Sequence, residues 1–321
     1  MDKGLASSCK YLCYAMERCL MKKTLFVSVC LIWGTTWLAM AIAGETIPSL
    51  TATAFRFLVM SPLLILIARR EKVPLLFPKE KRHYMPLVAI FYFAIPFWFM
   101  LEGEKYISSG LAAILFGYMP ITIMLLTYFT TRQPFSVKQI SALLVTLLSL
   151  VAIISIESDI SGSDYLLGIS LLMGAVLLHG AIYIIKPLRL GDVHVLTFSA
   201  IPSGIAAILL LIAGLSMEST VIADIRPASV FAVLYLGGVA GVGGIVAYFR
   251  LNALVSPFRA SLCFLIFPVI AIALEAMLME RALSPYSLLF ALPLAGGIYH
   301  LIQPPKAQGQ SPGGEKHACK Q

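Results

Sequence analysis

Two short aromatic pairs and one arginine stand out in this apolar chain. Trp33 and Trp37 are four residues apart, and so are His179 and Tyr183. In a helix that spacing stacks both members on one face. Indole, imidazole and phenol rings join a broad apolar surface to a polar edge. Such faces suit a cavity for amphipathic or cationic small molecules. They also suit anchoring at a membrane interface or packing within a bundle. Arg56 lies inside an apolar run. Its guanidinium can grip a carboxylate through two parallel hydrogen bonds, pair with Glu45, or reach outward to water along its own stem. Glu275 is the only acid placed inside such a run. A carboxylate there can bind and release a proton as its surroundings change, with His179 as a second candidate; the competing reading is a rim residue in water.

The elements that must hold these residues follow from composition. Of 321 residues, 59% are hydrophobic and 12% charged, with a mean hydropathy of +0.90. A soluble domain carries about 25% charged residues. Spanning a bilayer takes about 20 apolar residues in a helix. Ten runs qualify: 24–43, 49–68, 84–101, 107–130, 139–156, 165–185, 193–215, 228–249, 257–279 and 285–302. The expected fold is therefore an all-α integral membrane protein with ten transmembrane helices. With the N-terminus inside, twenty of the 24 Lys and Arg residues fall in or beside inside segments. Three, Lys105, Arg226 and Arg281, fall outside. That bias predicts a multi-pass protein of the cell (inner) membrane with both termini cytoplasmic. The net charge of +8 is spread over these loops rather than gathered in one patch, so no nucleic-acid partner is expected. The rival reading of the first run as a signal peptide cleaved after Ala41-Ile42-Ala43 fits poorly with Trp33 and Trp37 inside it.

A shift of 148 residues lays the two halves over each other. Ser108 meets Ser256, Phe116 meets Phe264, Pro120 meets Pro268 and Ser136 meets Ser284. A shift of 146 lays Trp33 and Trp37 over His179 and Tyr183. Five spans per half is an odd number, so the second half inserts upside down. The expected organisation is a cytoplasmic extension (1–22), a first five-helix repeat (23–156), a second, inverted repeat (157–303) and a cytoplasmic tail (304–321). Inverted repeats place a substrate site between the halves near the midplane. Both aromatic faces would then line one space. Pro120 and Pro268 are candidate helix kinks. Gly241, in a run with Gly237, Gly238, Gly243 and Gly244, is a candidate sliding or gating contact, or simply a close-packing one.

Of the six cysteines, Cys9, Cys13 and Cys19 precede the first span, Cys30 and Cys263 lie in apolar runs, and Cys319 is in the tail. No CxxC pair is present, so neither a metal site nor a redox motif is expected. The first three are palmitoylation candidates, unless translation starts at Met21. No P-loop, dinucleotide fingerprint or HExxH is found, and no cofactor is expected.

Several segments resemble a known family. Leu31-Ile32-Trp33-Gly34, Phe55-Arg56-Phe57, Ile107-Ser108-Ser109-Gly110-Leu111-Ala112-Ala113 and Pro120 are similar to the first half of EamA-type members of the drug/metabolite transporter superfamily. Pro268 with Glu280-Arg281-Ala282-Leu283-Ser284 resembles the second half. The resemblance spans about 24–302. It implies ten helices, two inverted repeats and export of amino acids, other small metabolites or drugs. The chain departs from the family at Arg132-Gln133-Pro134-Phe135-Ser136, where a glutamate-led turn is usual. A nucleotide-sugar or phosphorylated-metabolite exchanger is the alternative, followed by a membrane-embedded enzyme. The expected partners are a small-molecule substrate and the bilayer, with the chain a monomer or a homodimer.

Overall fold

The computed structural model describes residues 20–107, 109–132, 134–157, 165–219, 224–278 and 284–302. Cys9, Cys13 and Cys19, the loop over 158–164, most of the Glu280–Ser284 segment and the tail from 303 lie outside these residues, as does the side chain of Glu275. Among the described residues every regular element is a helix. In chain order they are α1 (Leu20–Gly44), α2 (Ser49–Arg70), α3 (Tyr84–Gly103), α4 (Ser109–Gly117), α5 (Met119–Thr131) and α6 (Val137–Glu157). Then follow α7 (Tyr165–Arg189), α8 (Val195–Met217), α9 (Pro227–Leu254), α10 (Pro257–Ser261), α11 (Cys263–Leu278) and α12 (Pro285–Ile302). Six of these, α1, α2, α3, α7, α8 and α9, are long and apolar enough to cross a membrane. Shorter apolar stretches accompany them at Leu115–Thr131, Val137–Ile153 and Pro257–Ala271.

The surface is what lipid demands. Leu66, Phe129, Leu148, Leu166, Ile212, Phe231 and Leu292 all point outward and exposed. A soluble protein would not leave so much apolar surface in water. Backbone polar groups are satisfied within helices, as a hydrocarbon environment requires.

Packing between helices rests on small residues. Serine and glycine draw α2 onto α8: the Ser61 hydroxyl donates to the Ala200 carbonyl at 2.8 Å, and a Cβ on Gly204 would lie 2.7 Å from that same hydroxyl. Gly103 and Gly168 bring α3 against α7, where a Cβ on Gly168 would lie 3.0 Å from the Gly103 carbonyl. With little hydrophobic force between helices in lipid, such close van der Waals approach is the main cohesive term.

Two expected continuous spans are interrupted. The run 107–130 divides at Tyr118, where Tyr118 N–H donates to the Leu115 carbonyl at 3.2 Å, a tightened i→i−3 turn. Pro120, two residues on, lacks an N–H and cannot continue the ladder back into α4. The run 257–279 divides at Leu262, again with i→i−3 bonding, to Arg259 at 3.3 Å. Pro268 itself lies inside continuous α11, so the interruption there is six residues ahead of it. Both third helices contain π-helical segments, Ala89–Ala94 in α3 and Leu236–Gly244 in α9. Shifted by 148, the first falls within the second.

Candidate functional site

Trp33, Trp37, Arg56, His179 and Tyr183 line one cavity. Tyr92, Phe97, Phe116, Phe264 and Phe267 complete most of its wall. The i, i+4 spacing on α1 and on α7 turns each pair inward, as the helix period requires. Trp37, His179 and Tyr183 are buried, at 2%, 2% and 3% exposure.

The rings form a continuous cluster. Trp33 lies 5.3 Å from Phe264 and Trp37 lies 5.0 Å from Phe116. His179 lies 6.1 Å from Phe116 and Tyr183 lies 6.1 Å from Phe264. Exchanging Trp33 with His179, Trp37 with Tyr183 and Phe116 with Phe264 maps this set of contacts onto itself. His179 Nδ1 donates to the Ala175 carbonyl at 3.0 Å, which orients the ring. Its faces and edges meet Phe97 at 5.1 Å and Tyr92 at 5.2 Å.

Arg56 is 4% exposed. It neither reaches outward nor meets Glu45, which pairs instead with Arg226 at 3.5 Å. Its guanidinium lies over the Phe97 ring, 4.4 Å from the centroid. Nη1 approaches the Met40 sulfur at 3.9 Å, and Nε is buried without a hydrogen-bond partner among the described residues. The glycines of α9 support this arrangement. A Cβ on Gly237 would lie 2.5 Å from the Arg56 carbonyl, one on Gly241 3.0 Å from the Met60 sulfur, and one on Gly244 2.5 Å from Trp33 Nε1. Gly241 thus packs α9 on α2.

The cavity measures only 40 Å³. Small-molecule pockets span about 300–1,000 Å³, so in this conformation the cavity is smaller than an ordinary ligand pocket. Polar contacts join the two halves at either end. At one end the Glu218 carboxylate accepts from the N–H groups of Leu50 at 2.8 Å and Thr51 at 2.9 Å, capping α2 from the far half. Beside it the Ser49 hydroxyl donates to Glu102, which also pairs with Lys105 at 2.7 Å. At the other end Lys81 pairs with Asp192, a hydrogen bond that holds the Asp192 carboxyl below the usual carboxylate range.

Sequence reasoning passed over Tyr92, Phe97, Phe267 and the Glu218 cap. A signal existed for the first two in the aromatic run Phe91–Phe99. Phe116 and Phe264 were visible as repeat partners, not as cavity walls. Glu275 lies on α11, with its side chain outside the described residues. Among the described residues no group of three or more metal-ligating side chains comes together.

The model of the EamA-like transporter family matches the chain twice, over residues 21–155 and 166–303. The chain is 42% identical over 275 residues to protein PagO of Salmonella typhimurium strain LT2, covering 86% of this chain and 90% of PagO. It is 39% identical over 280 residues to an uncharacterized transporter of Buchnera aphidicola subsp. Schizaphis graminum, covering 87% and 93%. One solved crystal structure, 17% identical, superposes with a TM-score of 0.70 over 87% of this chain and 95% of the other, a likeness of fold. The chain belongs to the EamA-like transporter family and is a multi-pass membrane transporter of the drug/metabolite type.

Proposed function

We propose that the protein is a secondary transporter with ten spans in two inverted five-helix halves, 23–156 and 157–303. It exports amino acids or other small metabolites across the cytoplasmic membrane by alternating access, with both termini in the cytoplasm. The observation that carries this reading is the exchange symmetry of the cavity rings, Trp33–Phe264 against His179–Phe116 and Trp37–Phe116 against Tyr183–Phe264. Two equivalent faces from two halves wrap one space, the arrangement in which rocking one half against the other exposes a central site to either side. The paired π segments of α3 and α9 and the interrupted fourth spans support it, because both permit local rearrangement without unfolding a span. An exchanger of nucleotide sugars would need several cations around its site, and Arg56 is the only lysine or arginine among the described lining residues.

The test is efflux from proteoliposomes loaded with a panel of amino acids and organic acids, normalised to folded protein. Trp37→Ala and Tyr183→Ala should each lower efflux about tenfold or more, the equivalent of one lost aromatic contact of roughly 1.4 kcal/mol. Wild-type rates in both variants would reject the shared cavity.

A further inference from the structure

We propose that the transported species carries a carboxylate that Arg56 neutralises, on an apolar body that packs among the surrounding rings. This rests on the transporter reading above and names the class of substrate.

Among the described residues Arg56 presents an unmatched charge. Arg56 sits within a span and is buried. An intramembrane guanidinium normally finds an anion or a water-filled space. Among the described residues no acid forms an ion pair with Arg56: Glu45 pairs with Arg226, Glu102 with Lys105 and Ser49, Glu218 caps the first turn of α2, and Glu104 is buried without a hydrogen-bond partner. No aspartate or glutamate is among the described residues lining the cavity. Phe97 offers the guanidinium a π face but no hydrogen-bond acceptor. Nε is orphaned, and so is the buried hydroxyl of Tyr248, whose ring packs 4.5 Å from Tyr183 and 4.9 Å from Trp33. A carboxylate supplies acceptors for several such donors, and a guanidinium matches it in two parallel bonds. A cation in the same place would meet an uncompensated positive charge in a site of low dielectric.

A second cavity agrees in sign. It measures 1710 Å³ and lies at the end of the molecule where α6 and α10 begin and α7 finishes, opposite the Glu218 cap. Lys138, Arg259 and His300 line it, and no acid is among its described lining residues. Walls of one charge sign raise the local concentration of oppositely charged solutes. An anion is therefore favoured in both cavities.

The experiment uses the sequence's own fluorophores. The chain has three tryptophans, and two of them, Trp33 and Trp37, line the cavity. In a Trp98→Phe background all indole emission reports from the site. Three probes with a shared phenylpropyl frame are titrated into the purified full-length protein: 3-phenylpropanoate, its isosteric amide 3-phenylpropanamide, and 3-phenylpropylamine. Saturable quenching by the carboxylate should be at least tenfold tighter than by the amide, with none by the amine. Arg56→Gln should weaken carboxylate binding about 10- to 100-fold, and Arg56→Lys should restore part of it. Equal or tighter binding of the amine, no discrimination among the three, or unchanged binding in Arg56→Gln each overturns the proposal. The probe comparison in the Arg56 protein needs no variant to fold. Carboxylate binding without movement across vesicles would sink the transport reading alone. Efflux of the amine with no preference for the carboxylate would sink this inference and leave transport standing.

Discussion

Glu104 presents at the residue scale the same problem as Arg56 with the opposite sign. Both of its carboxylate oxygens are buried without a hydrogen-bond partner among the described residues, just beyond the last turn of α3. Burial pushes its pKa well above the ordinary value of 4.5. Between 4.5 and that raised value the folded protein holds a proton that the unfolded chain has released. Stability therefore falls as pH rises through this window. Glu104→Gln, which keeps the shape without the titration, should flatten that dependence and raise thermal stability at the alkaline end. A melting-temperature profile from pH 4.5 upward measures it; parallel profiles for the two proteins would contradict the assignment. Glu104 was not legible in the sequence, since an acid beside Lys105 at a span's end looks like an ordinary rim residue. Trp33, Trp37, His179 and Tyr183 were legible, because i, i+4 spacing fixes a shared face whatever the tertiary packing. The surroundings of Arg56 were not legible, because the sequence alone did not show that Glu45, a candidate partner, pairs with Arg226.

At the scale of elements, hydropathy located the helices because about twenty apolar residues must stay together to span a bilayer. Even so, the helix already includes Leu20, ahead of the expected 24, and carries Lys22 and Lys23. Apolar runs carry no sign of where a helix tightens or widens, so the turns at Tyr118 and Leu262 and both π segments were not visible. Those depend on what each backbone packs against. The glycine run of α9 illustrates the point. Gly237 and Gly238 are adjacent and alike in sequence, yet a Cβ on the first would strike the Arg56 carbonyl at 2.5 Å and Val59 Cβ at 2.7 Å, while one on the second meets nothing within 4 Å. Gly237→Ala should destabilise the protein by about 1–3 kcal/mol through overpacking and disturb Arg56. Gly238→Ala should be neutral or slightly stabilising, from the better helix propensity of alanine. Thermal unfolding in detergent reads both, and equal effects at the two positions would refute the packing of α9 on α2.

For the molecule as a whole, helices that the proposed repeat makes equivalent meet: α2 lies against α8 and α6 against α12. The cavity rings repeat the same exchange. The family model matching once in each half fits this organisation. All of it depends on five spans per half, so that the second half inserts opposite to the first. The basic residues, twenty on one side and three on the other, fix the expected orientation. Reporter fusions after Ser161 and after Gln303, positions flanking the second half, test this most directly. A fusion at Ser161 should report the external side and one at Gln303 the cytoplasm. The same compartment at both positions would mean an even number of spans between them, and two inverted halves sharing one cavity would be ruled out.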